Sequence, residues 1–546
     1  MRTTQSIGEY LIQRLWAHGV RHVFGVPGDY VLGFYQQLAD SGLRIVNTCD
    51  EQGAGFAADA YARVRGLGAV CVTYCVGGLK VANTTAQAFA EKSPVVVISG
   101  APGTTERGKN PLLHHKVKDF DTQLKVFEQW TVAAAVLDDA HTACREIDRV
   151  LAAALRYKRP VYIELPRNMA GVEGVNHRAA PEPPETSDRD ALTEALREAT
   201  AMINAARQPV VLAGVELHRF GLQETLLQLL AKTNLPVAAT LLSKSVIAER
   251  HPNYLGVYEG AMGHEEVRAY VESSDCLILL GAFMSDINLG VFTAELDPHK
   301  SISVTSEKAC IRYHTYEGIR LQDFLQGLIR ARITRRDSNA KPHPESPQPF
   351  HVVDGARVTV ARLFHRLNSF LDDDTVVIAD VGEAMFAGAD LFIHGGTEYL
   401  SPVYYTSMGF AVPAALGAQL ANPKRRPLVL VGDGAFQMTG MELSTIARFR
   451  LSPVVVVLNN GGYGTERPML DGPFNDVLRW DYSRIPEVIG AGRGFDVETE
   501  DQLDAALTAA RAQPDNVCLL NVHLDPHDRS PALQRLTASL GKRVRQ

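Results

Sequence analysis

The stretch PLVLVGDG, residues 427–434, decides the fold of this 546-residue chain. It consists of an apolar run with the length of a β-strand, followed by a Gly-Asp-Gly turn. A run that is apolar at every position, and not only at alternate positions, is typical of a parallel strand buried on both faces of its sheet. Such strands are covered by helices on both sides, so the stretch predicts an α/β layer structure.

Similar runs recur in three series, with helical patterns between them. They are HVFGV (22–26), RIVNT (44–48), AVCVTY (69–74), PVVVIS (94–99) and PVYIEL (160–165); PVVLAG (209–214), LPVAAT (235–240), CLILLG (276–281) and SISVTS (301–306); and TVVIAD (375–380), PLVLVGDG, PVVVVLNN (453–460) and VCLLNV (517–522). Two polar, Pro-rich segments, residues 176–190 and 333–350, separate the series and have the composition of linkers. We therefore predict three Rossmann-like α/β domains with parallel sheets, over residues 1–175, 191–332 and 351–546.

Composition excludes several classes of protein. The formal charge of −7 and a pI near 6.2, without a basic stripe, argue against nucleic acid as a partner. No apolar run approaches the roughly 18 to 20 residues that cross a membrane. The first residues lack a signal peptide, and Ser6-Ile7-Gly8-Glu9 instead predicts a capping box that opens a helix. Seven scattered cysteines without a CxxC pair favour a reducing cytoplasm over a disulfide framework.

The Gly-Asp-Gly turn is the strongest indication of a binding site. Asp433 ends one predicted strand, and Asn459-Asn460 ends the next strand, 27 residues after that aspartate. The carboxyl ends of parallel strands meet in one crevice, so the two strands can present Asp433 and Asn460 to one point. Carboxylate, amide and carbonyl oxygens suit Mg²⁺, and a helix predicted from about Thr439 would direct its positive end toward phosphate. The alternative is a tight turn beside a polar loop.

The spacing of these two motifs resembles the cofactor motif of thiamine diphosphate enzymes. The resemblance implies that Asp433, Asn460 and the carbonyl of Gly462 hold Mg²⁺. It further implies that the C-terminal domain binds the cofactor's diphosphate, with contacts from Gly432, Gly434, Ala435 and Tyr463.

A second signature lies in the N-terminal series, where CDEQGAGFAADAYAR (49–63) places Glu51 at the start of an Ala- and Gly-rich helix. Taken alone, such a glutamate could simply favour the helix dipole. The stretch is similar to the family pattern whose glutamate contacts N1′ of the aminopyrimidine, which implies a pyrimidine-binding N-terminal domain. A carboxyl group in a dry cleft can share a proton with a ring nitrogen.

Three further motifs indicate a branch of that family. GVPGDY (25–30), LLHH (112–115) and NNGGYGTE (459–466) together resemble pyruvate, indolepyruvate and phenylpyruvate decarboxylases. The resemblance implies non-oxidative decarboxylation of a 2-keto acid to an aldehyde. Two further stretches, residues 91–106 and 430–443, look most like bacterial phenylpyruvate and indolepyruvate decarboxylases, which implies a bulky aromatic or branched substrate. The resemblance assigns acid–base roles to Asp29, His114, His115 and Glu466, and cofactor contacts to Thr406 and Met408.

Alternatives stay open beside this interpretation. They are a pyruvate decarboxylase, a carboligating transferase of the acetolactate synthase type, and a non-catalytic subunit that only binds the cofactor. Three positions depart from the branch pattern: Cys75 where glycine is common, the unexpected charge of Lys80, and Glu383-Ala384 where Thr-Ser is frequent. Because relatives build the cofactor site between two subunits, we expect a homodimer at least, and a homotetramer by analogy.

Overall fold

We describe the protein from a computed structural model, in which residues 5–175, 186–337, 341–535 and 537 are described. These residues form three separate sheets, each covered by helices, and the α/β class is confirmed. Each sheet lies within one predicted domain, although the exact domain limits remain a prediction. Most of the first predicted linker, residues 176–185, lies outside the described residues. The described part of the second, residues 333–337 and 341–350, contains neither helix nor strand.

The first sheet contains six strands. They are β1 (His22–Val26), β2 (Arg44–Asn47), β3 (Gly68–Val72), β4 (Val95–Ala101), β5 (Ala134–Val136) and β6 (Val161–Pro166). Its helices are α1 (Ile7–Ala17), α2 (Leu32–Ala39), α3 (Glu51–Arg65), α4 (Ala82–Ala90), α5 (Thr104–Lys109), α6 (Thr122–Phe127) and α7 (Ala143–Tyr157). All pairs in the order β2-β1-β3-β4-β6-β5 are parallel. The predicted capping box is present, since the Ser6 hydroxyl accepts from Glu9 N and the Glu9 carboxylate accepts from Ser6 N.

The second sheet contains seven strands. They are β7 (Pro209–Ala213), β8 (Val237–Ala239), β9 (Tyr254–Val257), β10 (Cys276–Leu280), β11 (Ser301–Val304), β12 (Lys308–Ile311) and β13 (His314–Glu317). Its helices are α8 (Arg189–Ala205), α9 (Val215–Arg219), α10 (Gln223–Thr233), α11 (Glu265–Glu272) and α12 (Leu321–Arg330). The order is β13-β12-β11-β10-β7-β8-β9. The sheet is mostly parallel, as predicted, and the pairs β11–β12 and β12–β13 at one edge are antiparallel, which the sequence did not indicate. In the β12–β13 hairpin, Ala309 and Ile311 are buried at alternate positions, so there is no continuous apolar run.

The third sheet contains six parallel strands. They are β14 (Thr375–Ala379), β15 (Glu398–Leu400), β16 (Arg426–Gly432), β17 (Val454–Asn459), β18 (Arg493–Val497) and β19 (Cys518–His523). Its helices are α13 (Val360–Asn368), α14 (Glu383–Gly388), α15 (Ala411–Ala421), α16 (Asp433–Thr439), α17 (Leu443–Arg448), α18 (Ile485–Val488) and α19 (Glu500–Arg511). The order β15-β14-β16-β17-β19-β18 places β16, the strand of the PLVLVGDG stretch, at the centre. Helix α16 begins at Asp433 itself, so the expected start near Thr439 was wrong.

The first and third sheets are joined through helices α3 and α15. A Cβ atom added at Gly417 of α15 would lie 1.9 Å from the carbonyl oxygen of Ala57 in α3, so only glycine permits this approach. The small residues of both helices belong to one buried apolar cluster that also contains Phe56 and Phe410. The Ala- and Gly-rich composition around Glu51 is therefore explained by close helix packing. Within the described residues, no helix has both the length and the apolar character needed to cross a membrane.

Candidate functional site

The loops that carry the predicted site follow the carboxyl ends of two sheets. In the first sheet, Asp29 follows β1, Glu51 follows β2, Thr73 to Lys80 follow β3, and the histidine pair follows β4. Two glycines allow these loops to pack together. A Cβ atom at Gly28 would lie 2.4 Å from the Cβ of Thr73, and one at Gly77 would lie 3.2 Å from the Glu51 carboxylate. The sheet edge thus gathers residues that are far apart in the sequence.

Asp29, His114 and His115 form an acid–base cluster at this edge. His114 Nε2 lies 2.9 Å from an Asp29 carboxylate oxygen, and the two imidazole rings are 4.6 Å apart in an edge-on arrangement. Ligand-type atoms of all three residues lie within 4.8 Å of one another. His115 adopts a left-handed φ of 68°, a conformation that costs energy in a side-chain-bearing residue. This backbone turns the two neighbouring rings toward the same place, which an extended segment would not do.

The His115 ring also carries a buried nitrogen without a hydrogen-bond partner, its Nδ1. Tyr30 stabilises the His114-His115 pair. Its hydroxyl donates to the carbonyl of His114, and its ring packs against both imidazoles. Asp29 and His114 remain accessible, with side-chain exposures of 44% and 57%. A cluster of this kind can move protons to and from a bound molecule.

Glu51 is the first residue of α3 and is buried, with 9% of its surface exposed. Asp50 caps the helix by accepting from Gln52 N. The Lys80 ammonium lies 2.7 Å from a Glu51 carboxylate oxygen and also contacts Asp50. These hydrogen bonds to Asp50 and Glu51 raise the pKa of Lys80. The departure at Lys80 noted in the sequence therefore places a cation directly on Glu51.

Glu442 fixes the start of α3 from the third sheet's side, a role that the sequence did not reveal. Its carboxylate accepts from the backbone N–H groups of Cys49 and Asp50, at 3.0 and 3.2 Å. Burial raises the pKa of Glu442. Partners separated by nearly 400 residues have no local sequence signal, so only the packing of α3 on the third domain shows this contact.

The second half of the site lies at the carboxyl edge of the third sheet. Asp433 is fully buried, and its two carboxylate oxygens accept from Gly434 N at 2.7 Å and Gly461 N at 2.6 Å. The Asn460 amide oxygen accepts from Gly462 N at 3.3 Å. A Cβ atom at Gly462 would lie 1.9 Å from the Asn475 carbonyl, so this turn requires glycine. Asp433 thus contacts the loop that begins at Asn460, and a shared cation between these two side chains stays a prediction.

These residues fit a divalent cation and a diphosphate. Burial raises the pKa of Asp433 to about 6, and backbone donors oppose this shift only in part. A buried carboxylate with spare acceptor capacity, an amide oxygen and a backbone carbonyl form the hard donor set that Mg²⁺ prefers. A Cβ added at Gly432 would meet no atom within 4 Å, so the end of β16 leaves open space beside Asp433. Gly434 packs against the Tyr463 ring, and the adjacent Ala435 is buried.

Thr406 and Met408 lie on a strained loop that follows β15. Thr406 has a left-handed φ of 56°, and Met408 is partly buried against the cluster shared by α3 and α15. Asp380 anchors the loop by accepting from Gly409 N and Ala411 N, at 3.0 and 2.8 Å. Burial raises the pKa of Asp380 to about 6. Both the cofactor role and ordinary packing of Met408 agree with this position.

The predicted residues are gathered into two groups and not into one. Among the described residues, no hydrogen bond or ion pair joins Glu51 to Asp433, or the Glu466 side chain to Asp29, His114 or His115. Glu466 is exposed, six residues beyond Asn460 in the loop after β17. Its role with the histidine pair remains a prediction.

The other two departures from the branch pattern have structural explanations. Cys75 has a left-handed φ of 52°, the conformation for which glycine is the usual choice, and burial raises the pKa of its thiol. Glu383 begins α14 and accepts from Ser530 N at 2.9 Å, while burial raises the pKa of its carboxyl group. The Glu383 carboxylate thus binds the backbone of the C-terminal segment at Ser530.

Comparisons with known proteins agree with this geometry. Three family models match the chain: the thiamine pyrophosphate enzyme N-terminal TPP binding domain over residues 5–125, the central domain over 196–328 and the C-terminal TPP binding domain over 380–522. The chain is 37% identical to an indole-3-pyruvate decarboxylase of Azospirillum brasilense over 517 residues, which cover 93% of each chain. It is 37% identical to an alpha-keto-acid decarboxylase of Mycolicibacterium paratuberculosis over 538 residues, 95% of this chain and 94% of the relative. A Mycobacterium tuberculosis protein of the same name is 36% identical over 547 residues, 98% and 97% of the two chains.

Proposed function

Because the chain belongs to the thiamine pyrophosphate enzyme family, we propose that it decarboxylates a 2-keto acid to an aldehyde and carbon dioxide. The observation that carries the proposal is the cluster of Asp29, His114 and His115 at the same sheet edge as Glu51. Aldehyde release requires proton transfers that two imidazoles beside a carboxylate can perform near neutral pH. The names of the relatives, which describe decarboxylases of indole-3-pyruvate and of alpha-keto acids, agree with it.

The part of the site at the carboxyl edge of the third sheet would hold the cofactor's diphosphate through Mg²⁺. Asp433, Asn460 and the Gly462 carbonyl would bind the cation, and Gly432, Gly434, Ala435 and Tyr463 would contact the diphosphate side. Thiamine diphosphate, when bound, supplies a thiazolium ring that accepts the electron pair left by departing carbon dioxide.

The chain's own residues would manage the protons. Glu51 would hold a proton at N1′ of the aminopyrimidine, and the carbonyl of Thr406 would accept from its amino group. Met408 would fix the bend of the cofactor. Asp29, His114, His115 and Glu466 would deliver one proton to carbon and remove one from the alcohol oxygen.

We extend the proposal to the assembly. Glu51 and Asp433 belong to different sheets, and within the part of the chain that the structure describes no hydrogen bond or ion pair joins them, so a second copy would complete each site. A homodimer is the minimum unit, and a homotetramer is the larger form that we propose; sedimentation or light scattering measures it. Seven free cysteines support a reducing, cytoplasmic setting.

For the substrate, we propose a bulky 2-keto acid such as phenylpyruvate or indolepyruvate. The test supplies the protein with thiamine diphosphate and Mg²⁺ and compares pyruvate, a branched 2-keto acid, phenylpyruvate and indolepyruvate by aldehyde formation. A higher kcat/KM for the aromatic substrates supports the proposal, whereas a preference for pyruvate contradicts the choice of substrate.

Glu51→Gln tests the assignment of the site. Most turnover should be lost while the fold is retained, as judged by circular dichroism. Glu194→Gln is a matched control, because Glu194 is an exposed carboxylate on α8. Full activity in Glu51→Gln would overturn the assignment.

A further inference from the structure

Lys80 forms an ion pair with Glu51, the carboxylate that would contact the cofactor in the proposed function. Its ammonium lies 2.7 Å from the Oε2 atom of Glu51, while the Oε1 atom faces the backbone of Gly77. Only 11% of the Glu51 side chain remains exposed. A ring nitrogen that bonds to the Oε2 atom would therefore have to replace Lys80 there.

The charges around Glu51 come from several elements. Lys80 belongs to the short helix Leu79–Val81, and Asp50 precedes α3. The carboxylate of Glu442 contacts the backbone of Asp50 from the third sheet's side. Lys80 thus supplies the positive charge in a group of carboxylates.

The ion pair opposes the task proposed for Glu51. The ammonium already donates a hydrogen bond to the Oε2 atom, whereas a carboxyl group that serves a ring nitrogen must form its hydrogen bond with that nitrogen. Lys80 has a long flexible side chain that is 48% exposed, so it can move at little cost. Asp50 already contacts the same ammonium and is itself 45% exposed, so it can keep Lys80 after Glu51 is released.

Resting on the proposed function, we propose that Lys80 is a positioning residue that competes with the cofactor for Glu51. Before binding, Lys80 bridges Asp50 and Glu51. When the aminopyrimidine takes the Glu51 carboxylate, Lys80 is left on Asp50 alone. The affinity for thiamine diphosphate is then set partly by the strength of this ion pair.

Two substitutions on the same bridge should have opposite effects. Lys80→Gln removes the competitor, so the dissociation constant of thiamine diphosphate should fall by up to about fivefold, the upper end of the range for an exposed ion pair. Asp50→Asn keeps a good helix cap but removes the alternative partner of Lys80, so cofactor binding should weaken. Lys80→Arg keeps the charge and should restore binding to the wild-type level.

The experiment titrates each full-length protein with thiamine diphosphate at saturating Mg²⁺ by isothermal calorimetry, at low and high ionic strength. Salt screens the ion pair, so the ratio between the wild type and Lys80→Gln should shrink toward one. Lys125→Gln is the matched control, because Lys125 is an exposed lysine of the same sheet layer that pairs with Asp119. Circular dichroism checks that every variant is folded.

A double substitution separates the possible failures. In a Glu51→Gln background, Lys80→Gln should leave the dissociation constant unchanged, because the carboxylate for which Lys80 competes is absent. Unchanged or weaker binding in Lys80→Gln alone, or an equal gain in both backgrounds, would overturn the inference. Full turnover in Glu51→Gln would instead overturn the proposed function.

Discussion

Gly432→Ala should separate the stability of the fold from its capacity to bind the cofactor. Gly432 ends β16 with φ −68° and ψ 154°, values that any residue adopts, and an added Cβ atom would meet nothing within 4 Å. Alanine reduces the freedom of the unfolded chain, so the free energy of unfolding without cofactor should be unchanged or higher by about 0.4–1 kcal/mol. The open space is where the diphosphate would approach the backbone. An added methyl group in a filled site costs about 1–3 kcal/mol, so binding should weaken by about 5-fold to 150-fold.

Two measurements test this expectation on the same protein. Urea unfolding without cofactor gives the stability, and calorimetric titration with thiamine diphosphate and Mg²⁺ gives the affinity. Gly171→Ala is the matched control, because a Cβ atom there also meets nothing within 4 Å but lies in a turn outside the site. Unchanged cofactor affinity in Gly432→Ala would refute the placement of the diphosphate. A lower free energy of unfolding without cofactor would show that the space beside Gly432 is not open to an added methyl group.

Three further substitutions test other parts of the account. Gly462→Ala places a Cβ atom 1.9 Å from the Asn475 carbonyl, so urea unfolding should show a loss of about 1–3 kcal/mol, and an unchanged midpoint would contradict the packing. Asp380 has a pKa raised to about 6 against 3.8 in the unfolded chain, so its contribution favours folding below pH 4 and is lost as the pH rises through 6. Asp380→Asn should therefore remove up to about 3 kcal/mol of the fall in unfolding free energy between pH 4 and 7, and identical pH profiles would contradict this. His115→Ala should slow aldehyde release by about 10²-fold or more with cofactor affinity unchanged, and a wild-type steady-state rate would exclude His115.

The central strands could be predicted because strands that are buried on both faces have continuous apolar runs in the sequence. β1, β10, β14 and β17 coincide closely with predicted runs, since their side chains are buried on both faces of the sheet and nearly all of them are apolar. Most short edge strands were not predicted, although β2 was. β13, for example, has the sequence HTYE and is mostly exposed, so its residues need no apolar pattern.

Site residues could be predicted from the sequence where polar side chains directly follow the carboxyl ends of predicted strands. Asp433 contacts Gly461, the residue after Asn460, because parallel strands bring their carboxyl ends to one edge. The contacts of Lys80 with Glu51 and of Glu442 with Cys49 had no such signal, because they depend on how separate loops and domains pack. The left-handed backbone of His115, which sets the orientation of the imidazole pair, is equally invisible in a single sequence.

The most direct test of decarboxylation is the ratio of free aldehyde to carbon dioxide released from phenylpyruvate by the protein with thiamine diphosphate and Mg²⁺. The proton-transfer cluster of Asp29, His114 and His115 predicts a ratio close to one, because each turnover ends in a released aldehyde. Carbon dioxide release with little free aldehyde, accompanied by a condensed 2-hydroxy keto product, would contradict the account and favour a carboligating enzyme.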